Sequence, residues 1–154
     1  MLSAKAQLLT KVIAVLREEH EEFARVLADT SAAATDPDSK AESKYDTRSL
    51  EMSYLAAGQA KQAEQLVEAL DLLEKFELPE FAVSDPIDLG ALVELELEGV
   101  WSFYFLLPAG GGIEVSEGEI SATTLTPESP LFSLMKGKRI GEPLENGATV
   151  SEVS

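Results

Sequence analysis

The chain has no cysteine, one histidine and one tryptophan in 154 residues. Without cysteine there are no disulfides and no thiolate metal sites, which is compatible with a reducing compartment without proving one. The lone His20 lacks the clustered partners that zinc needs, and nothing supports a Ser-His-Asp triad. No run approaches the ~20 apolar residues of a membrane span. The N-terminus opens directly into helical sequence, with charges at Lys5 and Lys11 and no signal-peptide core. These absences predict a soluble, cytoplasmic, bacterial type of protein with no membrane partner. Bases are also scarce: 12 Lys and Arg stand against 28 Asp and Glu, a formal charge of −16. Binding to naked DNA rests on lysine and arginine neutralising phosphates, so that function is not expected. The acidity serves solubility or helps find a basic partner surface, and both readings stand.

What the chain does have is a heptad seam. Leu2, Ala6, Leu9, Ile13, Leu16, His20, Phe23 and Leu27 follow at alternating steps of four and three. That spacing keeps one stripe of a helix facing a partner helix. A second run comprises Met52, Ala56, Gln59, Ala63, Leu66, Leu70 and Leu73. Between them lies a polar, acidic stretch broken by Pro37. A short break between two seamed helices predicts an antiparallel coiled-coil hairpin over 1–77. Its acidic tip falls near 36–46, and each arm is on the order of 45 Å long. Ser3 can cap the first helix, and Asp36 or Asp38 the second. Gly58 marks a close helix approach or a tolerated cost of about 1 kcal/mol against Ala.

Residues 78–88 form a linker in which Pro79 and Pro86 oppose helix. Beyond it the apolar period falls to 2. Leu92–Leu97 alternates, Val100–Leu107 is rich in aromatics, and Ile113–Val115 and Ile120–Leu125 are further strand candidates. Gly99, the Gly110–Gly112 run and Gly118 supply turns, and Pro130 can start a short helix through Lys136. A last strand is expected near Ala148–Val153. The fold class is therefore α+β: the hairpin, then a small antiparallel β domain over 89–154.

The Gly110–Gly112 run is not followed by Gly-Lys-Ser/Thr and opens no helix, so it reads as a hairpin turn and not a phosphate loop. Trp101–Phe105 reads as core strand. From residue 80 onward there are thirteen acids and three bases, Lys136, Lys138 and Arg139. That basic knot is a contact site or a chance surface loop. The cluster with chemical potential is Asp36, Asp38, Glu42 and Asp46. Carboxylates suit Mg²⁺, which takes one or two of them and keeps waters. Such a pair can hold a shared metal and position a water for phosphodiester cleavage. The same residue types also cap and solvate a helical turn, so the residues alone allow both.

Two segments resemble the Gre transcript-cleavage factors (GreA/GreB). D-S-K-A-E-S-K-Y at 38–45 is similar to their coiled-coil tip, which reads roughly D-L-x-E-N-x-E-Y. G-A-L-V-E-L at 90–95 and S-P-L-F-S-L-M-K-G-K-R-I-G-E at 129–142 resemble their C-terminal domain. Ser129, Pro130, Leu131, Gly137, Lys138 and Gly141 match that pattern position for position. The resemblance covers nearly the whole chain in the same order.

It implies an elongation factor that binds RNA polymerase. An FKBP-like β domain would dock at the rim of the secondary channel through Ser129, Pro130, Lys136, Lys138 and Arg139. The coiled coil would bring Asp38 and Glu42 to the polymerase active site. There they would act as catalytic and metal residues, sharing a Mg²⁺ that serves cleavage of backtracked RNA. The factor is accessory to the polymerase centre and no enzyme by itself, and it meets nascent RNA only inside that complex. Two departures stand out. Ala41 occupies the second acidic position, with Glu42 one residue later, a turn of about 100° on a helix. Lys44 replaces the next acid. A non-cleaving channel binder in the manner of DksA-like factors, or a coiled-coil adaptor, remains open.

Overall fold

The computed structural model describes the backbone of residues 3–35 and 48–154, with side chains at 27, 29–35, 48–57 and 59 outside the description. The described chain holds helices α1 (Ala4–Thr35), α2 (Arg48–Lys75) and α3 (Pro130–Met135), and five strands. The strands are β1 (Leu92–Leu97), β2 (Val100–Leu106), β3 (Glu114–Glu117), β4 (Ile120–Leu125) and β5 (Thr149–Val153). It forms two compact units, one of Met1–Ala14 with Asp71–Ser154 and one of Val15–Leu70.

In the first unit the sheet order is β3-β4-β2-β1-β5. β1 and β2 form a hairpin whose two-residue turn, Glu98-Gly99, has φ 52° and 81°. Positive φ at both central positions is what a tight hairpin of this twist demands, and the glycine supplies it without cost. The expected antiparallel pairing holds everywhere but at one place: β2 runs parallel to β4. The Gly110–Gly112 segment is therefore a crossover to the edge strand β3, not a hairpin turn. The fully buried Thr124 pins it, accepting from Ile113 N at 2.9 Å and donating to Gly110 O. The C-terminal tail is more ordered than a loose end, since β5 pairs with β1 across a register shift at Glu94/Leu95.

Strand alternation divides the sheet into two faces. Val93, Leu95, Leu106 and Val150 pack with Phe132 and Met135 of α3. Leu92, Phe105 and Ala122 are buried on the opposite face, where the foot of α1 supplies the cover. Lys5 Nζ donates to Ser154 O at 3.0 Å, beyond β5, and Lys11 Nζ pairs with Glu117 of β3 at 2.7 Å. Six residues of helix advance about 9 Å, and five strands span about 19 Å. Two extended lysine side chains close the difference, so the foot of α1 crosses the sheet. This explains its burial pattern. Within this unit Lys5, Leu8, Leu9 and Val12 are buried, whereas the seam residues Ala6 and Ile13 are half-buried. The foot faces the sheet as well as α2, which rotates and widens its apolar stripe.

The expected cap is present, with Ala6 N donating to Ser3 Oγ at 3.1 Å. On α2, Ala63, Leu66 and Leu70 are half-buried and Leu73 is buried, as the seam requires. Within the unit Val15–Leu70, His20 of α1 lines one groove with Ala60, Ala63, Glu64, Val67 and Glu68 of α2. A Cβ added at Gly58 meets open space, so the close-approach reading does not apply there. Trp101, expected in the core, is 59% exposed, because it lies next to the hairpin turn.

Candidate functional site

Ser129 and Pro130 open α3. Ser129 is extended at φ −73°, its N–H donates to Thr126 O, and Pro130 takes the first helical turn. Proline fits there because its missing N–H would have no helical partner. Leu131 follows and lines a cleft of about 300 Å³. The other walls come from β1 and β2 (Leu95, Leu97, Val100, Ser102, Tyr104), from Glu98 in their turn, and from Asn146 and Ala148. Leu97 is 41% and Val100 63% exposed at its mouth. Among the described residues Glu98 is the one charged wall of this largely apolar hollow, and no basic side chain lines it.

Lys136, Lys138 and Arg139 lie at the other end of α3. Lys136 N bonds Phe132 O at the helix end, and Gly137, at φ +83°, donates to Ile87 O at 2.8 Å. Ile87 N returns a bond to Lys138 O at 2.8 Å. Arg139 Nε donates to Ser84 O at 3.1 Å, and Arg139 N to Glu142 Oε1 at 2.9 Å. The knot is thereby held against the 84–87 linker segment, with Lys136 and Arg139 exposed and Lys138 half-buried. α3 thus joins Leu131 at the cleft, directly after Ser129 and Pro130, to the basic loop at its far end.

The glycines of the resembling motifs have structural duties. Gly90 has φ +91°, and a Cβ there would sit 2.4 Å from Pro79 Cδ. Gly137 turns the chain out of α3 at a backbone angle that L side chains avoid.

Asp38 and Glu42, with Asp36, Ala41, Tyr45 and Asp46, lie outside the described residues, so no metal geometry follows for them. Among the described residues no group of three His, Asp or Glu side chains is placed to hold a metal ion. No helix among the described residues is long and apolar enough to cross a membrane.

Sequence reasoning singled out Ser129, Pro130 and the basic loop but missed the cleft. Its walls come from three separate segments. The available signal was Leu97 and Val100, two large apolar residues flanking an exposed Glu-Gly turn where polar side chains are usual.

The described residues define a two-part α+β chain: a helix pair and a small mixed sheet carrying one short helix. No protein-family model and no curated protein matches the chain. Among solved structures it is similar to the GreA factor homolog 1 (Gfh1) of Thermus thermophilus. That match has 22% identity and a TM-score of 0.38, over 99% of this chain and 96% of that one. A second structure of the transcription factor Gfh1 matches at 22% identity and TM-score 0.36, over 99% and 95%. Gfh1 of Thermus aquaticus matches at 22% and 0.36, over 97% and 94%.

Proposed function

We propose that this chain is an RNA polymerase-binding elongation factor that acts through the enzyme's secondary channel. The observation that carries the reading is the apolar cleft beside Ser129–Leu131. It lies at the residues by which the chain resembles the Gre docking signature, and it offers an unfilled apolar surface there. Leu97 and Val100 leave apolar side chains exposed at its mouth, open to a partner's contact. In this role the β unit binds, and the helix pair presents Asp38 and Glu42 to a centre that belongs to the polymerase.

Those two carboxylates are chemically suited to a shared Mg²⁺. When bound, such an ion supplies Lewis acidity and an activated water. The chain's own part is to hold and orient. A non-cleaving channel binder is the second reading, favoured by Ala41 at the second acidic position.

RNA length analysis on backtracked complexes separates the two. Shortened transcripts with the wild-type chain, lost in Asp38→Ala, support cleavage stimulation. Unchanged transcripts together with saturable polymerase binding support the non-cleaving reading. No binding at all leaves a coiled-coil adaptor.

A further inference from the structure

The unit Val15–Leu70 carries a feature that the polymerase reading does not use. A groove of about 470 Å³ runs along the helix pair, lined by His20, Ala60, Ala63, Glu64, Val67 and Glu68. It arises from a packing shortfall. His20 occupies a seam position of α1, and the described α2 residues that line the groove with it include two alanines, which fill little space. Val67 remains 49% exposed at the groove's edge, although it is a large apolar residue on a helix. Ala60, Ala63 and Val67 are spaced by three and four, so they form one helical stripe. Small residues in such a stripe let another helix approach closely, and bulky side chains from outside can fill the hollow.

The charges choose the occupant. Among the described residues the groove is lined by two carboxylates, Glu64 and Glu68, one helical turn apart, and by no lysine or arginine. A second copy would set these carboxylates against their own equivalents, on a chain already at −16. A partner of opposite charge gains where a copy loses. We infer that the groove receives a basic amphipathic helix of a partner protein. Its apolar side chains lie over Ala60, Ala63 and Val67, and its Lys or Arg residues pair with Glu64 and Glu68. Helix-in-groove recognition works through apolar anchors at this spacing. The inference does not depend on what the β unit binds.

The test uses the full ¹⁵N-labelled chain and a synthetic helical peptide of about five turns, with Leu at i, i+3, i+4 and i+7 and Lys elsewhere. A control peptide keeps every Lys and replaces Leu by Ser. Amide shifts should centre on His20, Ala60, Ala63 and Val67. The control should bind about tenfold more weakly, as should the Val67→Glu variant, by loss of a central anchor contact. Glu64→Lys/Glu68→Lys, at exposed positions, should weaken binding similarly and keeps the test valid should Val67→Glu lower the melting temperature. Equal binding of the control peptide would show attraction by net charge alone and overturn the inference. So would shifts centred elsewhere, or unchanged affinity in both folded variants. Self-association in sedimentation equilibrium that Val67→Glu abolishes would assign the groove to a second copy and likewise overturn it.

Discussion

Lys5 in the first turns of α1 donates its ammonium to Pro79 O at 2.8 Å, and the same Nζ lies 5.1 Å from the Phe81 ring centroid. One buried cation thus ties the foot of α1 to the linker and, through Ser154 O, to the end of β5. Burial lowers its pKa from 10.5 to about 8, with the Glu80 carboxylate pulling the other way. Between those values the unfolded chain holds a proton that the folded chain has released. Stability should therefore rise with pH across that window. Urea midpoints measured below pH 8 and near pH 10 should show the rise in the wild type and its absence in Lys5→Met. A flat profile in the wild type would mean that Lys5 titrates normally.

Gly90 is the second structural tie. Gly90→Ala meets both a strained φ and the Pro79 ring at 2.4 Å. Strain and overlap of this kind each cost about 1–3 kcal/mol, so the urea midpoint should fall with the m-value unchanged. A stability loss below about 0.5 kcal/mol, the range of an ordinary surface change, would show that the linker moves aside freely.

Gly58 makes the opposite case. With open space around its Cβ position, Gly58→Ala should stabilise α2 by up to about 1 kcal/mol. Thermal unfolding followed by circular dichroism would register it, and a lower melting temperature would reveal a hidden contact.

Much of this architecture was legible before the coordinates. The alternation of Leu92–Leu97 marked a strand, and Gly99 marked the turn that follows it. Ser3 and Pro130 marked helix starts for local reasons that tertiary context did not override. The parallel pairing of β2 with β4 was not legible, because it joins segments that are not neighbours in sequence, and alternation carries no strand direction. The burial of Lys5 and Val12 escaped for a similar reason. A heptad describes one partner helix, and the foot of α1 also has a sheet beneath it. The cleft at Leu97, Val100 and Leu131 likewise exists only after three distant segments meet. Asp38 and Glu42 were read from chemistry and resemblance alone, and their geometry lies outside the described residues.

The 36–46 segment supplies a chemical prediction. If cleavage depends on paired carboxylates, Asp38→Ala and Glu42→Ala should each lower cleavage about 10²-fold with polymerase binding retained. The Ala41→Glu/Glu42→Asn variant restores the Gre-like order of residues and should raise cleavage where register is the limitation. No gain from that variant, with an inactive wild type, would favour the non-cleaving reading.

On the proposed docking, the basic loop and the cleft should contribute separately. Reversing these charges, in Lys138→Glu/Arg139→Glu, should slow association, and more so at low salt, since ions screen steering. Stopped-flow association rates at two ionic strengths test this. A loss independent of salt would point to disruption of the Arg139–Ser84 contact instead.

The most direct test is a fluorescence titration of the labelled full chain with bacterial RNA polymerase, comparing wild type with Val100→Glu. Val100 is 63% exposed at the cleft mouth, so its replacement should leave the fold intact. The wild type should bind saturably, and Val100→Glu should bind about tenfold more weakly, as expected for loss of an anchor contact. Absence of saturable wild-type binding would contradict the polymerase reading itself, and equal binding of the two would remove the cleft from the dock.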